Sequence, residues 1–378
     1  MTPVYPEYGW SRVLARMAVP LFDTRTPLAP LRAALNAKAA EVLDAGSYIL
    51  GPEVAGFERD LAAHLGIDHV VGVANGTDAL VIALRGMGVG PGDDVVVPSF
   101  TFYASAEAIA LIGANPVFCD IDPATYCLTP DTVRAALTPE TKVVMAVHLF
   151  GNVAPVDDLA PLGVPVLEDA AQAAGSRVAD GRRAGTLGAA ATFSFFPSKN
   201  LGAFGDGGAI TTPDDELAEQ ARMLRFHGSR DKVSFELVGH NSRLDELQAA
   251  LLALELPHLD AWCDGRRAAA AHYADAGLGE VAGLPLPVDG CDPAWHLYVI
   301  RHPRAEALGA ALAEAGIGSK RYYGTPLHRQ VAMRPWSDVD LPGTDEAART
   351  HLAIPMSPVL SREQADEVVA AVRDADLG

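Results

Sequence analysis

The chain has 378 residues, of which 49% are hydrophobic and 20% charged, a composition typical of a soluble globular protein with a full hydrophobic core. Its formal net charge of −19 argues against DNA or an anionic membrane as the main partner. The N-terminus lacks a signal-peptide pattern and no apolar run is long enough to span a membrane, so we expect a cytoplasmic protein.

Residues 1–18 contain two prolines and a glycine, which predicts an irregular N-terminal arm outside the main fold. Helical patterns follow at 28–43 and 52–66. The second begins with proline and ends with glycine, residues that favour helix starts and helix ends.

The central part of the chain alternates short apolar strands with helices. The predicted strands are 70–74, 94–98, 116–120, 143–148, 164–168 and 191–196, and the predicted helices are 77–86, 104–111 and 129–137. This alternation predicts an α/β domain with a mostly parallel sheet. Strands that are apolar throughout fit a sheet covered on both faces.

A helix predicted at 244–256 ends the large domain, and the C-terminal third predicts a second, smaller domain. The predicted elements after residue 257 are a helix at 259–273, a loop-rich stretch at 277–293, a strand at 296–301, a helix at 305–315, a loop at 322–330 and a last helix at 361–376. Ser361 and Gln364 form a capping-box pattern for that helix. We therefore expect an arm at 1–18, a large domain at 19–257 and a small α+β domain at 258–378.

The four cysteines show no CxxC spacing, so we expect buried free thiols, with no disulfide and no metal site.

Lys199 and Asp169 are the most informative pair in the sequence. Apolar neighbours favour a sheltered Lys199 amine, which can lose its proton and form a Schiff base with an aldehyde cofactor. Asp169 follows an apolar strand, where ligands bind in open α/β sheets, and could pair with a pyridinium nitrogen. A solvated lysine and a helix N-capping aspartate are the alternatives.

Three further positions fit a phosphorylated cofactor. Gly76 and Thr77 lie between a strand and a helix, and a helix N-terminus offers free N–H groups to a phosphate. Ser194 could donate its hydroxyl to the same phosphate, and Phe102 could stack on the pyridine ring. Simple helix capping and a core position for the aromatic ring are the alternatives.

Taken in order, these motifs resemble the DegT/DnrJ/EryC1/StrS aminotransferases over nearly the whole chain. The matching stretches are 51–54, 74–80, 92–95, 168–172, 193–202 and 241–250. The resemblance implies a fold type I enzyme that uses pyridoxal 5′-phosphate, which becomes pyridoxamine 5′-phosphate in the half-reaction. It also implies a seven-stranded, mostly parallel sheet.

The resemblance assigns roles to particular residues. It implies that Lys199 is the Schiff-base lysine, that Asp169 pairs with the pyridine nitrogen, and that Gln172 lies by the phenolic oxygen. It implies that Phe102 stacks on the pyridine ring of the cofactor and that Gly76, Thr77 and Ser194 bind the cofactor phosphate. Asn241 would reach the cofactor phosphate of a second subunit, which makes a homodimer the active unit.

The substrate is expected to meet Arg230, Arg243, Tyr323 and His328. Arg243 is the alternative to Asn241 at the subunit interface. A diphosphate could be held by basic residues from the set Arg230, Lys232, Lys320, Arg321 and Arg329, each of which could instead be a solvated surface charge.

The implied reaction transfers an amino group from L-glutamate, or glutamine, to a keto group of a nucleotide-diphosphate sugar. The form of segment 241–246 favours a dTDP- or UDP-linked 3-keto sugar. The alternatives are a 4-keto sugar, a keto-cyclitol, or a regulator that binds the cofactor without catalysis. The regulator is disfavoured because Lys199, Asp169 and Gln172 are all present. Turnover with glutamate would distinguish an enzyme from a regulator.

Overall fold

The computed structural model describes residues 18–375, so the expected N-terminal arm lies outside the described residues except for its last position. Within that range, no helix is both long enough and apolar enough to cross a membrane.

The described elements follow the chain in this order. The strands are β1 (His69–Val73), β2 (Asp94–Pro98), β3 (Asn115–Cys119), β4 (Thr141–Val147), β5 (Val166–Asp169), β6 (Arg177–Val178), β7 (Ala190–Ser194), β8 (Gly208–Thr212), β9 (Cys291–Asp292), β10 (Tyr298–Arg301) and β11 (His351–Ile354). The helices are α1 (Arg32–Ala45), α2 (Pro52–Leu65), α3 (Gly76–Gly86), α4 (Ala104–Leu111), α5 (Pro130–Ala136), α6 (Val156–Leu159), α7 (Asp215–Leu224), α8 (Glu246–Glu255), α9 (Leu259–Asp275), α10 (Ala305–Glu314), α11 (Pro342–Thr350) and α12 (Arg362–Asp374).

Seven strands form one sheet in the order β1-β8-β7-β5-β4-β2-β3. The pairs from β7 to β3 are parallel, whereas β8 is antiparallel to both of its neighbours. The expectation of a mostly parallel, seven-stranded α/β sheet is therefore confirmed. Because β2, β4, β5 and β7 run in the same direction, their carboxyl ends meet at one edge, where ligands bind in such sheets.

Helices bury this sheet on its faces. Helix α3 is deeply buried: the six consecutive residues 79–84 are all buried apolar residues and cover its whole circumference. Its N-terminus lies at the sheet edge that carries the strand ends. The buried core therefore holds the start of α3 firmly beside the carboxyl end of β7.

Two helix termini confirm the capping signals in the sequence. Helix α2 starts at Pro52 and ends before Gly66, which adopts a left-handed conformation with φ of 77°. Ser361 and Gln364 exchange hydrogen bonds of 3.2 and 3.1 Å at the start of α12, which forms the capping box.

The C-terminal elements pack around an apolar cluster of their own. Side chains of α9, α10 and α12 pack there against the antiparallel pair β10 and β11. The expected division of the chain at residue 257 stays a prediction.

The sequence patterns missed several elements. Strands β8 and β11 and helices α6, α7 and α11 were not predicted, and neither were the two-residue strands β6 and β9. Most other boundaries differ by one or two residues, but α1 begins at Arg32, four residues after its predicted start. At β5 the difference matters: the strand extends to Asp169, and residues 170–174 form turns, so Asp169 does not cap a helix.

Candidate active site

A cavity of about 770 Å³ opens at the carboxyl ends of the parallel strands. It is bounded by the end of β5, the end of β7, the N-terminus of α3 and loops from the C-terminal part of the chain. Seven of the eight residues expected to contact the cofactor line it: Gly76, Thr77, Phe102, Asp169, Gln172, Ser194 and Lys199. Their individual roles stay predictions.

Asp169 is the last residue of β5, and its side chain is buried on the cavity wall. Ser105, from the first turn of α4, donates a hydrogen bond of 2.8 Å to Asp169 Oδ2. The backbone N–H of Ala171 donates to Oδ1 at 3.2 Å. These two donors stabilise and orient the carboxylate, which leaves acceptor capacity for a cation in the cavity. Sequence reasoning did not identify Ser105.

Lys199 lies in the connection between β7 and β8, and its amine is buried. Burial lowers the pKa of Lys199 from the ordinary 10.5 to about 8, although the negative charge of Asp169 acts in the opposite direction. An amine with this pKa is partly neutral near neutral pH. It can therefore act as a nucleophile toward a carbonyl and as an acceptor of a proton.

The start of α3 forms a cradle that can hold an anion. Asn75 caps the helix by accepting a hydrogen bond of 2.8 Å from the N–H of Asp78, so the capping alternative holds for Asn75. Gly76 lies so close to Ser194 that a Cβ atom at this position would be 2.7 Å from the Ser194 Cβ. The absence of a side chain lets helix N–H groups and the Ser194 hydroxyl face one small space, which suits a phosphate.

Gln172 connects two walls of the cavity. Its Oε1 accepts a hydrogen bond of 2.8 Å from the N–H of Phe150, and its Nε2 donates one of 3.1 Å to the Tyr323 hydroxyl. Burial raises the pKa of Tyr323, which keeps the phenol neutral. Tyr323, predicted as a substrate residue, therefore lines the cofactor cavity itself.

Several lining residues were not identified from the sequence. His296 is 4% exposed, and its Nδ1 has no hydrogen-bond partner among residues 18–375. Burial lowers the pKa of His296, and the charges of Lys199 and Arg266 add to that effect, so the imidazole is neutral. Phe22 stacks on His296. Because both residues are distant in sequence from the recognised motifs, no local pattern could have indicated them. Lys320, which the sequence offered as a basic residue for a diphosphate, lines the same cavity beside Tyr322.

Four predicted site residues do not line the cavity. Asn241 is exposed, and Arg243 is partly exposed in the same segment. Arg230 forms ion pairs with Glu219 and Glu236.

His328 is buried away from the cavity, and its Nδ1 lies 2.7 Å from Ser99 Oγ. The predicted substrate contacts of Arg230, Arg243 and His328 stay predictions.

The residues present fit pyridoxal phosphate. A carboxylate suited to the pyridine nitrogen, a buried amine suited to the aldehyde and an anion cradle suited to the phosphate all face one cavity. Phe102, whose side chain is 60% exposed in this single chain, offers a flat apolar surface at the same place.

Comparison with known proteins agrees with this arrangement. The model of the DegT/DnrJ/EryC1/StrS aminotransferase family matches residues 31–373. A "Pleiotropic regulatory protein" of Geobacillus stearothermophilus is 44% identical over 95% of this chain and 98% of the relative. The "dTDP-3-amino-3,4,6-trideoxy-alpha-D-glucose transaminase" of Streptomyces venezuelae is 46% identical over 94% of this chain and 96% of the relative.

Among solved structures, S. venezuelae DesV in complex with a ketimine intermediate superposes with a TM-score of 0.91. It is 46% identical to this chain, and the match covers 94% of this chain and 98% of that one. The fold is therefore the fold type I architecture expected from the sequence.

Proposed function

Because the chain belongs to the DegT/DnrJ/EryC1/StrS aminotransferase family, whose members depend on pyridoxal phosphate, we propose that it transfers an amino group from L-glutamate or glutamine to a keto group of a nucleotide-diphosphate sugar. The observation that carries the proposal is the placement of a buried Lys199 amine in the same cavity as Asp169. A regulator that binds the cofactor without catalysis could use the same pair of residues for binding, so turnover with glutamate or glutamine distinguishes the enzyme from the regulator.

Bound pyridoxal phosphate supplies an aldehyde that can carry the amino group and a ring that withdraws electrons when its nitrogen is protonated. Asp169, held by Ser105, would keep a proton on that nitrogen through its negative charge. Lys199 would hold the aldehyde and, once displaced by the amino donor, would accept and return a proton, since its pKa is about 8. The α3 N-terminus and Ser194 would hold the phosphate.

We propose amination at C3 of the sugar. Support comes from segment 241–246 and from the 3-amino sugar in the name of the S. venezuelae relative. Assays with dTDP- and UDP-linked 3-keto and 4-keto sugars test this, with the aminated product identified by mass spectrometry and NMR. Efficient amination of a 4-keto sugar with no turnover of any 3-keto sugar would overturn the proposed position.

Two alternatives have distinct outcomes in the same assays. A keto-cyclitol aminotransferase would turn over a keto-cyclitol that carries no diphosphate. The hypothesis of a regulator is supported by the name of the Geobacillus relative. It predicts that the protein binds the cofactor but does not turn over glutamate or glutamine.

The proposed active unit is a homodimer with shared sites. In the single chain, Phe102 and Phe196 are 60% and 52% exposed although both line the cavity, and Phe204 nearby is 45% exposed. A second subunit would bury these rings and could bring Asn241 to the phosphate. Light scattering of the purified protein tests the dimer.

We also propose that the reaction takes place in the cytoplasm, since all four cysteines are free thiols, as a reducing compartment favours. Cell fractionation that placed the protein in a membrane or extracellular fraction would contradict this assignment.

A further inference from the structure

Residues 320–326 form a loop that borders the cofactor cavity, and a second cavity lies on the other side of this loop. Lys320, Tyr322 and Tyr323 line the cofactor cavity, whereas Arg321 and residues 324–326 line the second one. The second cavity has a volume of about 610 Å³, which is within the range of small-molecule sites. The loop therefore separates two cavities rather than bordering a single continuous one.

The side chains around the second cavity are strongly cationic. Four guanidinium groups line it, against two carboxylates, and they belong to Arg304, Arg321, Arg329, Arg349, Glu306 and Asp345. This excess of positive charge contrasts with the net charge of −19 for the whole chain. A local cluster of guanidinium groups in an acidic protein focuses attraction on anions at one place.

Each of the two acidic side chains in the lining lies beside one of the arginines. Asp345 pairs with Arg329, and Glu306 lies 3.6 Å from Arg321. Arg321 also donates a hydrogen bond of 2.6 Å to the carbonyl of Ala348, at the end of α11, which fixes its position. Arg349 is exposed and has no ion pair with any residue in 18–375.

The N-terminus of α10 adds to the positive potential. This ten-residue helix begins at Ala305 on the cavity wall, and the side chain of its N-cap residue makes no capping hydrogen bond. The N–H of Ala305 donates to the carbonyl of His302 at 3.1 Å, but the positive end of the helix dipole still favours an anion at the same place as the arginines.

We propose that this cavity is an anion site, separate from the cofactor cavity, that binds a diphosphate group. Guanidinium groups recognise phosphate oxygens through paired hydrogen bonds, and several of them match a multiply charged group better than a single negative charge. Arg321 and Arg329 thus serve this second site rather than the diphosphate of the sugar substrate, for which Lys320 lies on the correct side of the loop.

Titration calorimetry of the cofactor-loaded protein with inorganic pyrophosphate tests the site. Arg349→Glu is the informative variant because its guanidinium is exposed and unpaired in the described range, so folding should be preserved. Arg334→Glu is the matched control, since Arg334 is exposed in the same part of the chain but does not line the cavity. Arg349→Gln serves as a second variant if the charge reversal disturbs folding, which circular dichroism would reveal.

We expect Arg349→Glu to weaken pyrophosphate binding by about tenfold or more, and Arg334→Glu to leave it unchanged. Pyrophosphate that entered the cofactor cavity would be insensitive to the Arg349 change, so the comparison isolates the second site. Binding should weaken as salt rises. No measurable binding, or equal binding by all variants, would overturn the proposal.

A parallel titration with UDP identifies the source of the diphosphate. Tighter binding of UDP than of pyrophosphate, lost in Arg349→Glu, assigns the site to a nucleoside diphosphate. Equal affinities assign it to a free diphosphate. In both cases the site stands, and the glutamate half-reaction of the Arg349 variants should equal that of the unmodified protein.

Discussion

Gln172 and Tyr323, 151 residues apart in sequence, are joined by a hydrogen bond of 3.1 Å from the amide nitrogen to the phenolic oxygen. The bond links the turn after β5 to the loop that precedes α11. It therefore holds a residue predicted to contact the cofactor in a fixed position relative to the substrate side of the cavity. Neither residue's partner is evident from the sequence.

Removing this bond should slow transfer modestly. Tyr323→Phe deletes the hydroxyl, but the backbone N–H of Phe150 still binds Gln172, so we expect the turnover rate to fall by about 2- to 10-fold. Tyr322→Phe is the control, because Tyr322 lines the same cavity without this bond. Steady-state kinetics of both variants measure the turnover rate. An equal loss of turnover in Tyr323→Phe and Tyr322→Phe would show that the bond does not contribute.

The phosphate cradle depends on the missing side chain at position 76. Gly76→Ala would place a Cβ 2.7 Å from the Ser194 Cβ, so the helix start or the strand end must move. We expect cofactor affinity to fall by about tenfold, measured by equilibrium titration of the cofactor-free protein. Gly90→Ala, where a Cβ meets nothing within 4 Å, should bind normally. Unchanged affinity in Gly76→Ala would contradict the proposed cradle.

The pKa of Lys199 predicts how cofactor capture varies with pH. Only the neutral amine attacks an aldehyde, and burial lowers the pKa to about 8, so the neutral form dominates above pH 8 rather than above 10.5. The rate of capture by the cofactor-free protein should rise by about tenfold per pH unit below 8 and then level off. Stopped-flow absorbance measures this rate.

Asp169→Asn provides the matched variant for that profile. The charge of Asp169 raises the pKa of Lys199, so its removal should move the plateau to lower pH. A capture rate that continued to rise toward pH 10 in the unmodified protein would show that the amine is not buried as described.

Shared active sites predict complementation between two inactive variants. Lys199→Ala and Asn241→Ala should each be impaired alone if Lys199 and Asn241 of one site come from different subunits. Co-expressed in equal amounts, they should recover about a quarter of the normal activity, because half of the dimers are mixed and each holds one intact site. Activity no higher than the sum of the separate variants would argue against a shared site.

The sequence predicted most of the sheet and the motif residues because these depend on local patterns. Apolar strands, helix caps and the residues at the strand ends were found at or near their observed positions. Strand β8 was missed because Gly208-Ala-Ile-Thr-Thr is short and follows a glycine-rich turn, and its antiparallel placement between β1 and β7 depends on tertiary pairing.

The part of the site contributed by the C-terminal region could not be predicted in the same way. His296 and Phe22 line the cavity only because the segments that carry them pack over the sheet edge. Ser105 was missed for a similar reason, since its hydroxyl contacts Asp169 across 64 residues of chain. Such contacts follow from packing, which a single sequence does not reveal.

The central claim, that Lys199 and the cavity around it carry amino-group transfer, is tested most directly by the visible absorbance spectrum of the cofactor-loaded protein before and after L-glutamate. We expect a band from the lysine-bound cofactor that glutamate bleaches and that a keto-sugar acceptor restores. Lys199→Ala should lack that band and lose turnover by about 100- to 10,000-fold. A protein that forms no band with added pyridoxal phosphate, or a band that neither glutamate nor glutamine alters, would contradict the account.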